Sequence, residues 1–368
     1  MNDRFAADET THYRLGAVEH TTSVEDGNST VPEETGPLAD KWPSSAGSAR
    51  LHWVSGKGGT GKSTVAAALA LALAAGGRRV LLVEVEGRQG IAQLFDRPPL
   101  PPTETRIATA EGGGEVMALA IDTEHAFLEY LDMFYNLGFA GKAMRRMGAI
   151  EFATTLAPGL KDVLLTGKIK ETVIRRNKKG ELEYDAVVVD APPTGRIASF
   201  LDVTKAMAEL ARGGPVAAQS QGVAALLHSN ETVVHLVTLL EALPVQETAD
   251  AIAELQAADL HIGTVIVNRA GAGYLPKDVQ QDAAKGRIDA DAIRAGLVSA
   301  GLSLSDSDFA GLLAEVTEHA ATLEAQDISA IELTKTDVAR LHLPALTEGV
   351  DLGGLYELAE SLAEQGVR

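Results

Sequence analysis

Val54-Ser55-Gly56-Lys57-Gly58-Gly59-Thr60-Gly61-Lys62-Ser63-Thr64 is the stretch on which the fold of this chain turns. It stands between a short apolar run, 51–54, and an Ala/Leu-rich segment, 63–75, that ends at Gly76-Gly77. A strand, a glycine loop and a helix in that order, carrying Gly56-x4-Gly61-Lys62-Ser63, form the arrangement that cradles phosphate. The glycines let successive backbone N–H groups point inward at phosphate oxygens, and the helix N-terminus adds partial positive charge. Gly56, Gly58, Gly59, Thr60, Gly61, Lys62, Ser63 and Thr64 are therefore the expected phosphate-binding residues. Lys62 is placed to reach β- and γ-phosphates, and the Ser63 hydroxyl to ligate Mg²⁺.

Outward from this loop the texture repeats. Short runs at 80–85, 116–121, 186–189, 232–240 and 264–267 are mostly apolar and alternate with helical stretches. Runs apolar on both faces suit parallel strands covered by helices on either side, so the chain is expected to be α/β, a doubly wound and mostly parallel sheet. A last strand-like piece, 338–343, precedes a helix at 352–365. The stretches 124–176 and 200–228 lack strand character and read as helical insertions. Residues 1–49 are polar and lack apolar periodicity; they cannot bury enough apolar area to offset ordering entropy, so a disordered tail is expected before a 50–368 domain.

Composition removes several function classes. The 368 residues hold 32 Lys+Arg against 51 Asp+Glu, a net charge of −19, which opposes broad nucleic-acid binding and adhesion to anionic lipid. With no cysteine, disulfides, thiolate metal sites and cysteine nucleophiles are excluded. The longest apolar run, 65–75, is short of the ~18 residues of a spanning helix, and no signal segment opens the chain, so a cytoplasmic location is expected. The densest basic cluster, Lys168, Lys170, Arg175, Arg176, Lys178 and Lys179, reads as a solvated helix end and turn.

Two further stretches carry chemistry. In Tyr184-Asp185-Ala186-Val187-Val188-Val189-Asp190-Ala191-Pro192-Pro193-Thr194-Gly195 an apolar strand ends in Asp190, a carboxylate able to hold Mg²⁺ through water, and Gly195 can offer its N–H to a γ-phosphate. In Thr264-Val265-Ile266-Val267-Asn268 an amide stands at a strand end, where it can both donate to and accept from the edge of adenine. A second loop lysine, Lys57, is not needed by an ordinary phosphate loop; a cation there suits a charge clamp reaching a partner's phosphates.

Together these residues resemble the deviant Walker A ATPases of the MinD, ParA, nitrogenase-iron-protein and ArsA group, in which that lysine crosses a dimer interface. Val80–Val85 followed by Glu86-Gly87-Arg88-Gln89-Gly90 is similar in placement to switch I of the ArsA and tail-anchored-protein-targeting (Get-type) branch. The resemblance implies ATP/ADP and Mg²⁺ as cofactors, with Glu86 standing where the family's water-orienting Asp-Pro-Ala-His begins. The family's Ala/Pro-Pro-Thr-Gly switch II matches residues 191–195, its Val-Asn pair matches Asn268, and its adenine-loop proline is similar to Pro344. Glu84, two residues before Glu86, is expected on the same side of the strand.

Within that family, Leu82-Val83-Glu84-Val85-Glu86-Gly87-Arg88-Gln89-Gly90 and Asp132-Met133-Phe134-Tyr135-Asn136-Leu137-Gly138 resemble an actinobacterial branch of unequal paralogues. The implied partner is a second copy or, better, a paralogous ATPase subunit; the implied work is on a protein or membrane client, with the Met- and Phe-rich 124–160 stretch as a groove or a packing surface. Arsenite binding needs soft thiolates and the Get-type zinc-bridged dimer needs paired cysteines, and neither is present. The readings left beside the ATPase switch are a catalytically weak regulatory subunit and a MinD- or ParA-like positioning ATPase. Against the second, the C-terminal helix is acid-rich and no basic stripe appears.

Overall fold

The strand entering the glycine loop is apolar on both faces because it lies at the centre of the molecule. In a computed structural model, which describes residues 41–85, 87, 89–121, 160–202, 215–347 and 349–368, β1 (Leu51–Gly56) is buried throughout. β5 (Ala186–Asp190) and β6 (Thr232–Thr238) flank it in parallel. β2 (Arg79–Glu84) and β4 (Glu115–Ala120) extend the sheet on one side, and β7 (Ile262–Ala270) and β8 (Arg340–Pro344) on the other. With β3 (Thr105–Thr109), the order is β3-β4-β2-β5-β1-β6-β7-β8, parallel except for β3.

Alternate residues of each strand feed two cores. Leu51, Trp53, Val187 and Val189 face α4 (Leu160–Ile174), α5 (Thr194–Leu201), α6 (Pro215–Leu227) and α7 (Ala242–Ala257). Trp53, fully buried, meets Phe200 edge-on at 5.8 Å. Val54, Leu82, Val188 and Ile266 face α2 (Lys62–Ala74), α3 (Gly90–Leu94) and α11 (Leu352–Glu364). α2 is buried on every side from Val65 to Ala74; its alanines let it lie between the sheet and α11. Between β7 and β8 run α8 (Lys277–Ala284), α9 (Ala290–Ser299) and α10 (Asp306–Leu333). The doubly wound α/β expectation thus holds.

The differences have physical causes. β3 was not expected: Thr105-Arg106-Ile107-Ala108-Thr109 is short and polar, as suits an antiparallel edge strand with charge on it. The ordered structure begins before residue 50. Trp42 to Ala49 was read as tail, yet α1 (Ser44–Ser48) buries Ala46, and the Trp42 ring stacks on His235 at 5.0 Å between centroids. One tryptophan supplies the apolar area that the polar neighbours lack. Of the expected insertions, 122–159 and 203–214 lie outside the described residues, and with them the Met- and Phe-rich stretch and residues 1–40 of the tail.

Candidate functional site

The chain reverses its direction of travel across the sheet at β1, which puts the glycine loop in the crevice beyond the carboxyl ends of β1, β5 and β6. Gly56 ends β1 so close to β6 that a Cβ would stand 2.3 Å from the Val237 carbonyl oxygen; only glycine fits. Gly59 and Gly61 both take φ of +90°, the left-handed region. A Cβ on Gly58 or Gly59 would meet nothing within 4 Å, so this side of the loop is open to a ligand. The turn is closed by Thr60 Oγ1 donating to Lys57 O at 2.9 Å and Lys62 Nζ donating to the same carbonyl at 3.2 Å. α2 begins at Lys62, so its first N–H groups, which have no partner within the helix, sit at the loop.

β5 brings the acid. Asp190 is in register with Val54, and the Ser63 hydroxyl donates to Asp190 Oδ2 at 2.5 Å. A hydroxyl that gives its proton to a carboxylate keeps its lone pairs for a cation, so the pair fits Mg²⁺. The segment that follows β5 is pinned to β1: Ser55 Oγ donates to Pro192 O at 2.6 Å and Ala191 N to Val54 O at 2.9 Å. Gly195 follows in the first turn of α5, with open space where a Cβ would stand.

β7 brings the amide. Arg269 takes φ of +54° within a register shift between Val267 and Ala270, a bulge of the kind that re-aims a side chain. Asn268, buried, donates from Nδ2 to Thr60 O at 2.9 Å, and that nitrogen stands 2.3 Å from where a Cβ on Gly61 would be. Its observed contact is therefore with the loop itself. Pro344 pairs with Ala270 at the end of β8, on the same edge of the sheet as Asn268.

Two carboxylates complete the surroundings. Lys57 Nζ is 2.8 Å from Glu247 Oε1 of its own chain, on α7. Glu84, at the end of β2, is 2% exposed rather than on the surface, and its oxygens accept N–H groups of Gln89 and Ile91. Glu86 lies outside the described residues. The loop, Asp190, Gly195 and Asn268 thus gather at one end of the sheet. Sequence reasoning missed Glu247 and Ser55: the first sits on a helix face that no motif marks, and the second is a motif position whose role depends on the Pro192 carbonyl. Among the described residues no cluster of three His, Asp or Glu side chains is arranged for a metal ion, so a cation here depends on Ser63, Asp190 and the phosphates themselves.

A glycine loop on β1, a serine–carboxylate pair from α2 and β5, and a Pro-Pro-Thr-Gly segment after β5 make up a site of the P-loop class, and the chain belongs to the ArsA/Get-type ATPase family. The model of the anion-transporting ATPase family matches residues 49–213. The chain is similar to ATPase BagA of Mycobacterium tuberculosis, 68% identical over 328 residues, which span 89% of this chain and 96% of that protein. More distant likenesses are the protein named "Putative arsenical pump-driving ATPase 2" of Aquifex aeolicus, 27% identical over 42% of this chain and 50% of that one, and ATPase GET3 of Chaetomium globosum, 27% identical over 52% of each.

Proposed function

We propose that the protein binds and hydrolyses Mg-ATP and works as a dimeric switch with a second P-loop chain, a copy of itself or a paralogous subunit, acting on a protein or membrane client. The observation that carries this reading is Lys57. It sits in the loop that forms the phosphate cradle, and its ammonium is paired with Glu247 on α7. Lys62 is the lysine that serves the chain's own phosphates, so a second lysine is surplus to that cradle. A phosphate on a facing chain gives it work.

Each residue then has a part. Backbone N–H groups of residues 58–64 and Lys62 hold the β- and γ-phosphates. Ser63 directly, and Asp190 through water, hold Mg²⁺, which neutralises charge developing on the phosphates. Glu86 orients the attacking water, Gly195 follows the γ-phosphate, and Lys57 of the facing chain stabilises the transition state as an arginine finger does. Asn268 and Pro344 flank adenine, the Asn268 amide oxygen being the group that the Thr60 bond leaves available to the base. Binding and hydrolysis separate by mutation: Lys62→Ala abolishes Mg-ATP binding, whereas Glu86→Ala retains binding and loses about 10²-fold or more in turnover. Equal turnover in wild type and Glu86→Ala would overturn that assignment. Among the described residues no helix is long and apolar enough to cross a membrane.

A further inference from the structure

β2 ends in a carboxylate where a parallel strand interior has no ordinary use for one. Glu84 is 2% exposed and stands in register with Asp190 on β5 and Ala120 on β4. Register neighbours on parallel strands point to the same face, so Glu84 and the Mg²⁺-holding acid share the face that carries α2. Two carboxylates so close, one of them buried, oppose each other unless each is compensated. Asp190 has the Ser63 hydroxyl. Glu84 has two backbone donors: Gln89 N–H to Oε1, and Ile91 N–H to Oε2 at 3.2 Å.

Those donors lie across the loop that leaves β2. Gln89 is itself left-handed, at φ of +57°, and its side chain is tied on the far side, with Leu100 N donating to Oε1 at 2.7 Å. Ile91 and Ala92 sink into the core under α2. A Cβ on Gly90 would come within 3.9 Å of the Ser63 hydroxyl. Glu84 therefore draws the returning limb of the loop back to the strand that launched it and sets that limb beside the metal-binding serine.

We infer that Glu84 is a positioning residue for ATP hydrolysis: its buried carboxylate latches the limb leading into α3, through the N–H groups of Gln89 and Ile91, beside the Ser63–Asp190 pair. The inference rests on the proposed hydrolytic function.

Glu84→Gln removes one acceptor and Glu84→Ala both, and two measurements on the full chain with Mg-ATP test the result. Amide hydrogen exchange at Gln89 and Ile91 is expected to rise roughly tenfold or more in both variants, since bonds to a charged group are lost. The value of kcat is expected to fall in the order wild type, Gln, Ala, by about 10²-fold for Ala, with the Kd for Mg-ATP within about twofold of wild type. Unchanged exchange at both amides overturns the latch, and unchanged kcat with raised exchange overturns its catalytic role. A parallel loss of binding and turnover would make Glu84 merely structural. If Glu84→Ala does not fold, Glu84→Gln decides by the same criteria. Absence of turnover in the wild type, alone and with the paralogous chain, would instead overturn the proposed function, while the exchange result still judges the latch.

Discussion

At Lys57 the chemistry of one residue is set by a contact that no motif announces. Its pairing with Glu247 leaves both side chains partly exposed, at 29% and 37%, so the pair is worth about 0.2–1 kcal/mol. That is small enough to break when a stronger anion arrives and large enough to bias where the ammonium waits. Glu247→Gln should therefore move stability by less than about 1 kcal/mol in chemical denaturation. The same variant should lower the protein concentration at which turnover is half-maximal; a higher concentration requirement would mean that Glu247 presents Lys57 to the partner. Gly56 behaves oppositely. Its alanine variant would place a methyl on the Val237 carbonyl and should cost about 1–3 kcal/mol, seen as a lower denaturation midpoint. Gly56 was legible in the sequence because the loop motif demands a glycine there; Glu247 was not, because a surface glutamate on a helix has no signature until its neighbour is known.

At the scale of elements, β7 does more than end in an amide. Its bulge at Arg269 turns Asn268 onto the Thr60 carbonyl, so a strand two places from β1 braces the loop that β1 carries. Asn268→Asp replaces the donor by a carboxylate facing that carbonyl. The Kd for Mg-ATP should rise by about tenfold, read by nucleotide titration, with the fold intact; an unchanged Kd would mean that neither the brace nor an adenine contact matters. The parallel strands were readable because burial on both faces leaves unbroken apolar runs, as in Val187-Val188-Val189. β3 was not, because an edge strand needs only half of that pattern and carries Arg106 and two threonines. Asn268 was expected as a site residue from its place at a strand end, but its bond to Thr60 is tertiary and left no mark in the sequence.

For the whole molecule, the opposite end of the sheet is closed by a polar device. His52 on β1 and His235 on β6 share a hydrogen bond of 3.1 Å, and Trp42 stacks over both rings. Burial lowers the His52 pKa to about 4, and burial together with His52 itself lowers that of His235 well below the usual value. The unfolded chain takes up protons from about pH 6.5 downward while the folded pair does not, so stability is full above that pH and falls as pH drops toward 4. His52 alone should cost about 2 kcal/mol between pH 7.5 and 5, measured by denaturant unfolding; stability equal at the two pH values would contradict a neutral buried pair. Nothing in the polar run 1–49 foretold that Trp42 belongs to this closure, since a single ring makes no periodic pattern.

The measurement that reaches the centre of the account is ATP turnover per chain against protein concentration, for wild type and Lys57→Ala, alone and with the paralogous chain. Lys57 acting across an interface predicts turnover that rises with concentration or with added paralogue. It also predicts that Lys57→Ala binds Mg-ATP normally yet loses about 10³-fold or more of that turnover. Turnover independent of concentration and of the paralogue, and undiminished in Lys57→Ala, would contradict it.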